Sequence, residues 1–177
     1  NIAKKLNKYL NFRDITLPVH IKFDTGMHRL GISFEDRLKF MEDLKDLSYL
    51  ETEGLMSHYI SAGKKDSEWN EIQTGRFKTV LTDWQKFFSK LPRYTHIENT
   101  AGFFNFNVDF VNVARLGIAI YGYGMDRVKP VLRLYSAVKD IKRLRKGETA
   151  SYGGWYRAPE DITVGVIPVG YGDGFVR

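Results

Sequence analysis

Cysteine is absent from the 177 residues. That excludes disulfides, thiolate metal sites and cysteine nucleophiles, and it fits a reducing compartment. No apolar run approaches the roughly 20 residues that a membrane-spanning helix needs. No charged-then-apolar signal segment opens the chain. There is no internal repeat and no low-complexity segment. A clustered basic face is also missing. The net charge is +6, yet Lys and Arg are interspersed with acids, apart from Lys139 to Lys146 (KDIKRLRK). That segment alternates and reads as an exposed strand face, so nucleic acid is not an expected partner. What is present suffices for a core: 43% of residues are hydrophobic, and the 27% that are charged do not amount to a disordered composition. The chain opens on Asn and closes just after a glycine-rich turn, and both ends read as cut from a longer protein.

The most informative stretch is Val19 to Ile32 (VHIKFDTGMHRLGI). Val19, Ile21 and Phe23 alternate with His20, Lys22 and Asp24, which is the pattern of a strand with two unlike faces. The strand then breaks into Asp24-Thr25-Gly26. Helical periodicity precedes it over Ile2–Leu10. Ser33 is expected to start the next helix, with Asp36 as its capping-box partner and Phe34, Leu38, Met41, Leu44 and Leu47 as its apolar stripe. Gly54–Tyr59 reads as a buried strand. A long helix follows over about Ser67–Lys90, with Trp69, Ile72, Phe77, Val80, Leu81, Trp84, Phe87 and Phe88 inward. Tyr94–Asn99 reads as a strand, Thr100–Phe106 as a short helix, and Val111–Arg115 as another strand.

Strands alternating with helices imply parallel β/α units. Each expected strand ends in a polar or charged group: Lys22, His58, Asn99, Arg115. A barrel carries its site on such a C-terminal rim. The texture changes after Gly124. Val131–Leu144 and Ile162–Val169 alternate between glycine-rich turns, with no amphipathic helix, so residues 125–177 are expected to form a separate all-β domain after an α/β domain over 1–124.

Four stretches then stand together: HIKFDTGMHRLGI, the Ser57-His58-Tyr59 strand end, ENTAGFF followed by VARLGIAIYGYGM, and SYGGWYRA followed by IPVGYGDGFVR. In this order the chain resembles the alanine racemases, fold-type III enzymes dependent on pyridoxal 5′-phosphate. The resemblance implies the second half of a (β/α)8 TIM-type barrel, then the beginning of a C-terminal β domain. It also implies a homodimer in a bacterial cytoplasm that supplies D-alanine for peptidoglycan.

Racemisation removes an α-proton from one face and delivers one to the other, so it needs two acid–base groups. By resemblance one is Tyr152, acting in the partner's site. The other is the family's Schiff-base lysine, which has no counterpart in this chain. His58 and Arg115 match the histidine and arginine that tune the tyrosine, Arg115 also facing the pyridine nitrogen. Thr100, Gly117 and Ile118 match the phosphate contacts, with Asn99 beside them. Arg29 matches the arginine that meets the cofactor's phenolic oxygen and the substrate carboxylate. Lys22 matches a lysine that is often carbamylated. Tyr171 and Arg177 match the substrate corridor. No metal is implied.

The chain departs from the family pattern at His28, where glycine is usual, and at Gly63, where a corridor aspartate is common. Two other readings stay open. One is a racemase for another small amino acid such as serine. The other is a non-catalytic cofactor-binding module or inactive fragment, for want of the lysine.

Overall fold

The computed structural model describes residues 2–175. Arg177, expected in the substrate corridor, lies outside the described residues. Contacts divide the chain between Val131 and Leu132 into two units.

The first unit runs α1 (Ile2–Arg13), β1 (Leu17–Asp24), β2 (Ile32–Ser33), α2 (Arg37–Leu44), β3 (Leu50–Met56), α3 (Glu68–Phe88), β4 (Tyr94–His96) and α4 (Thr100–Asn105). Its sheet has the order β2-β1-β3-β4 and every pairing is parallel. Neighbouring parallel strands joined through helices are successive β/α units. The two-residue alternation of β1 sorts its faces. Ile21 and Phe23 are buried with Leu55 and Ile97 against Met41 and Leu44 of α2 and Phe77, Val80, Leu81 and Trp84 of α3. Each such side chain stabilises the unit by roughly 1.5–3 kcal/mol through burial. His20, Lys22 and Asp24 take the opposite face.

A bulge falls between β1 and β3. Val19 pairs with Thr52, but His20 pairs with Gly54, so Glu53 is the extra residue. The bulge sets Gly54 opposite His20. A Cβ on Gly54 would lie 2.6 Å from His20 Nδ1. The glycine makes room for the imidazole.

Four expectations are corrected. Ser33 does not start a helix. Ile32 and Ser33 pair with Phe23 and Asp24 as β2, and the Ser33 hydroxyl donates to Asp36 Oδ2 at 2.7 Å across a turn. Strand pairing takes the residue that the capping pattern assigned to the helix, which begins at Arg37. Trp69 and Ile72 are 40% and 38% exposed, while Asn70 and Gln73 are buried in their place. The first turns of α3 face loop backbone, whose polar groups need partners. Val111–Arg115 is not a strand. Asn112 N donates to Thr95 O at 3.0 Å, but Thr95 N donates to Asn112 Oδ1 at 2.8 Å. A side-chain amide has replaced the backbone carbonyl, so no regular ladder forms. Finally, of the stretch Val131–Leu144 only Asp140–Leu144 is strand. Alternation alone does not make a strand where no partner backbone accepts the bonds.

The second unit is antiparallel. β5 (Asp140–Leu144) pairs with β8 (Ile162–Val166), and β6 (Thr149–Ala150) pairs with β7 (Tyr156–Arg157). Among the described residues no helix is long and apolar enough to cross a membrane.

Candidate active site

The polar ends of the parallel strands converge on Arg115. Its Nη2 donates to Ser57 O at 2.7 Å and to His58 Nδ1 at 3.0 Å. Its Nη1 donates to His96 Nδ1 at 2.5 Å. The guanidinium thus reaches the chain just after β3 and the end of β4. It lies on an irregular segment whose own backbone is tied to the β4 side by Arg115 N donating to Glu98 O at 3.2 Å.

A guanidinium has only donors, so both Nδ1 atoms accept. Each imidazole is then neutral with its proton on Nε2. The Nε2–H of His96 donates to Nδ1 of His20 at 2.7 Å, which places the proton of His20 on Nε2 as well. The electrostatics agree. Burial, then the Arg115 cation, then Arg29 and Lys22, bring His58 down to about 4. Burial, Arg115 and His20 do the same for His96, also to about 4. At neutral pH His58 therefore presents an uncharged N–H donor beside a fixed cation. That pairing holds an oxygen without taking its proton.

The loop after β1 delivers the next cation. Asp24 Oδ1 accepts from Gly26 N at 2.9 Å, Met27 N at 2.9 Å and His28 N at 3.1 Å. Burial pushes the Asp24 carboxyl up, but these three N–H groups outweigh it and hold the group below the usual carboxylate range. Arg29 follows this turn and is exposed. Lys22, on the same strand face as Asp24, is pushed below the ordinary lysine range. Burial is the main cause and Arg29 the next, opposed by Asp24 and assisted by Arg115. A Cβ on Gly31 would meet Lys22 O at 2.9 Å, and its φ of +119° favours glycine.

At the start of α4, Gly117 N donates to Thr100 Oγ1 at 3.1 Å. Thr100 accepts there, so its hydroxyl proton is directed elsewhere. A Cβ on Gly117 would meet nothing within 4 Å, so the backbone is open on that side. Asn99 has scaffold bonds. Its Oδ1 caps α4 by accepting from Gly102 N at 3.0 Å, and its Nδ2 donates to Tyr59 O at 3.3 Å. Ile118 is exposed next to Gly117.

The structure thus brings together His58 and Arg115, and Thr100 and Gly117. Lys22 and Arg29 contribute to the field at His58. Tyr152 and Tyr171 belong to the second unit. Tyr152 opens a short 3-10 turn, Tyr152–Gly154, and is 84% exposed. Tyr171 opens another, Tyr171–Asp173, and is 64% exposed.

Sequence reasoning gave no role to His20 or His96. The signal was there in both strands. His96 alternates with Thr95 and Ile97, as His20 does with Val19 and Ile21, and both fall on the polar face. What the sequence does not carry is the register that sets them 2.7 Å apart.

Two family profiles account for nearly the whole chain: alanine racemase, N-terminal domain, over residues 1–124, and alanine racemase, C-terminal domain, over residues 131–177. The alanine racemase of Thermodesulfovibrio yellowstonii is 37% identical over 175 residues, which is 99% of this chain and 47% of that protein. The crystal structure of alanine racemase from E. faecalis superposes with a TM-score of 0.72 at 34% identity, over 92% of this chain and 45% of that one. An alanine racemase from Bartonella henselae, solved with covalently bound pyridoxal phosphate, shares the fold with a TM-score of 0.79 at 23% identity, over 99% of this chain and 48% of that one. The chain spans about half the length of the relatives it matches. Its first unit is the second half of a (β/α)8 barrel and its second the beginning of the C-terminal β domain. The chain belongs to the alanine racemase family.

Proposed function

We propose that the protein carrying this chain interconverts L- and D-alanine using pyridoxal 5′-phosphate, as a homodimer in the bacterial cytoplasm, and so supplies D-alanine for peptidoglycan. The observation that supports this best is the array of Arg115 between two neutral histidines. A pyridine nitrogen facing a donor-only cation stays unprotonated. With the cofactor bound, Arg115 would donate to that nitrogen, and the ring would then be a weaker electron sink, which would favour prompt reprotonation of the substrate carbon.

The other residues fit the same group. The Thr100 hydroxyl, whose oxygen accepts from Gly117 N–H, keeps its own proton to donate to a phosphate, and the open backbone at Gly117 and Ile118 lets an anion approach. Asn99 fixes the chain direction there. Arg29 offers a guanidinium to the substrate carboxylate and to the cofactor's phenolic oxygen. The depressed Lys22 amine reacts more readily with carbon dioxide than an ordinary lysine. The resulting carbamate is an anion that attracts Arg29. Pyridoxal phosphate, when bound, supplies the covalent link to the substrate amine and the delocalisation that acidifies the α-hydrogen.

Tyr152 moves the proton on one face, acting in the partner's site. To act as a base the phenol needs its anion stabilised, and the Nε2–H of His58, backed by the Arg115 charge, serves that end. The second base, the family's lysine, has no counterpart among these residues. Tyr171 and Arg177 line the approach for substrate. The test is chiral analysis of the intact protein loaded with the cofactor and given L-alanine. D-alanine formation is expected. Turnover of serine in preference to alanine would reassign the substrate, and no inversion of either would sink the reading.

A further inference from the structure

The proposed mechanism gives no role to a fully buried polar side chain on α3. Gln73, in the second turn of α3, is 0% exposed. Its Oε1 accepts from Ile60 N at 2.8 Å, and its Nε2 donates to His58 O at 2.8 Å and to Thr25 Oγ1 at 3.3 Å. The amide can face only one way. Turned over, it would set N–H against Ile60 N–H and oxygen against His58 O. The next residue of the helix continues the attachment, because Thr74 Oγ1 lies 2.7 Å from the Tyr59 hydroxyl. Helix α3 therefore grips three consecutive residues, His58, Tyr59 and Ile60. Through Thr25, which also meets the Ser57 hydroxyl at 2.7 Å, the same amide joins the loop after β1 to the loop after β3.

From this geometry we infer that Gln73 is a positioning residue. Its amide clamps the backbone on both sides of Tyr59, and so fixes the His58 ring against Arg115. The argument is one of constraint. His58 follows β3 by two residues and has no strand partner of its own. Its ring bond to Arg115 needs a defined backbone direction. Ser57 O and His58 O set that direction, and Arg115 and Gln73 bind one each. Without Gln73, one of these two anchors is lost. A Gln in the helix one turn before buried Phe77 would otherwise be a poor choice, since a leucine fills such a position without needing partners.

This inference concerns the same site as the proposed racemisation and rests on that reading only for its consequence in catalysis. Its test does not. In the intact protein, the histidine signals are titrated by NMR in wild type and in Gln73→Met. With Lys22 as the unmodified amine, the groups facing His58 are the cations Arg115, Arg29 and Lys22, and with burial they hold it at about 4. If the clamp is gone, the ring leaves Arg115 and the buried site, and its midpoint rises by more than one pH unit toward 6.5. Thr74→Val is the control. It removes the Tyr59 hydroxyl's partner, lowers the melting temperature and leaves the His58 midpoint in place. Gln73→Asn, which withdraws the amide by one methylene, serves if the methionine variant does not fold, and the midpoint rises there too. A wild-type midpoint in a folded Gln73 variant would overturn the inference, whether or not the protein racemises alanine.

Discussion

The guanidinium of Arg115 donates to Nδ1 of His58 at 3.0 Å, and this bond decides which ring nitrogen carries the proton. Arginine cannot accept, so His58 is left with Nε2–H as its free edge. The same logic passes through His96 to His20. A protonated His58 or His96 would have to turn an N–H toward the guanidinium. The array is stable only while these rings are neutral.

That gives a pH dependence with a definite sign. The folded-state value of His58 is about 4, against 6.5 for the free group. Between those values the unfolded chain binds the proton and the folded one does not. Stability is therefore complete above pH 6.5 and falls as the pH drops from 6.5 toward 4. His96 acts in the same window. Denaturant unfolding of wild type and His58→Gln across that range checks it: the variant is expected to show a shallower loss. Identical slopes would mean that His58 does not titrate as the geometry requires.

The proposed role of Tyr152 predicts asymmetry. In the intact protein, Tyr152→Phe is expected to cut racemisation by roughly 10²–10⁴-fold, the usual weight of a general acid–base group. The loss should be greater starting from L-alanine. Exchange of the α-hydrogen of L-alanine with solvent deuterium, followed by NMR, separates the two faces. Exchange at the wild-type rate in the variant would remove Tyr152 from the mechanism. Because the substitution keeps the ring and removes only the hydroxyl, it should leave the melting temperature nearly unchanged, so the two readouts part cleanly.

The elements legible in the sequence were those whose faces differ in polarity. β1 sorts Ile21 and Phe23 from His20 and Lys22, and that alternation is visible in the chain. The order of helices and strands followed, and with it the rim on which His58 and Arg115 meet. The segment Val111–Arg115 misled because its apolar alternation is real. Its backbone bonding is irregular for a reason that sequence does not show: the Asn112 side chain occupies a position in the ladder. Gln73 was hidden in the opposite way. Its neighbours gave an apolar helix face, and a polar residue within that face gains meaning only when the His58 and Ile60 backbone groups are placed beside it. Asn99 shows a third case. The resemblance marks it for the cofactor, and the structure adds a scaffold duty as the cap of α4.

The bulge that sets Gly54 opposite His20 makes another prediction. With a Cβ due 2.6 Å from Nδ1 of His20, Gly54→Ala forces the imidazole away from His96. Overpacking of this kind costs about 1–3 kcal/mol. The urea midpoint is expected to fall accordingly. The His20 Nδ1 signal should lose the shift of a hydrogen-bonded nitrogen. An unchanged midpoint would show that β3 slides to accommodate the methyl group.

His28 predicts the reverse direction. It holds φ at +53°, a left-handed conformation that disfavours side chains by about 1–2 kcal/mol. The reason it stays there is the backbone, because His28 N–H is the third donor to Asp24 Oδ1. Any residue supplies that donor. The imidazole itself is exposed and contributes little packing. Glycine removes the conformational strain but adds roughly 0.4–1 kcal/mol of freedom to the unfolded chain. The balance favours His28→Gly by up to about 1 kcal/mol. Denaturant unfolding is expected to show a higher midpoint in the variant. A variant less stable than wild type would mean that the His28 side chain supports the Arg29 loop by contacts of its own.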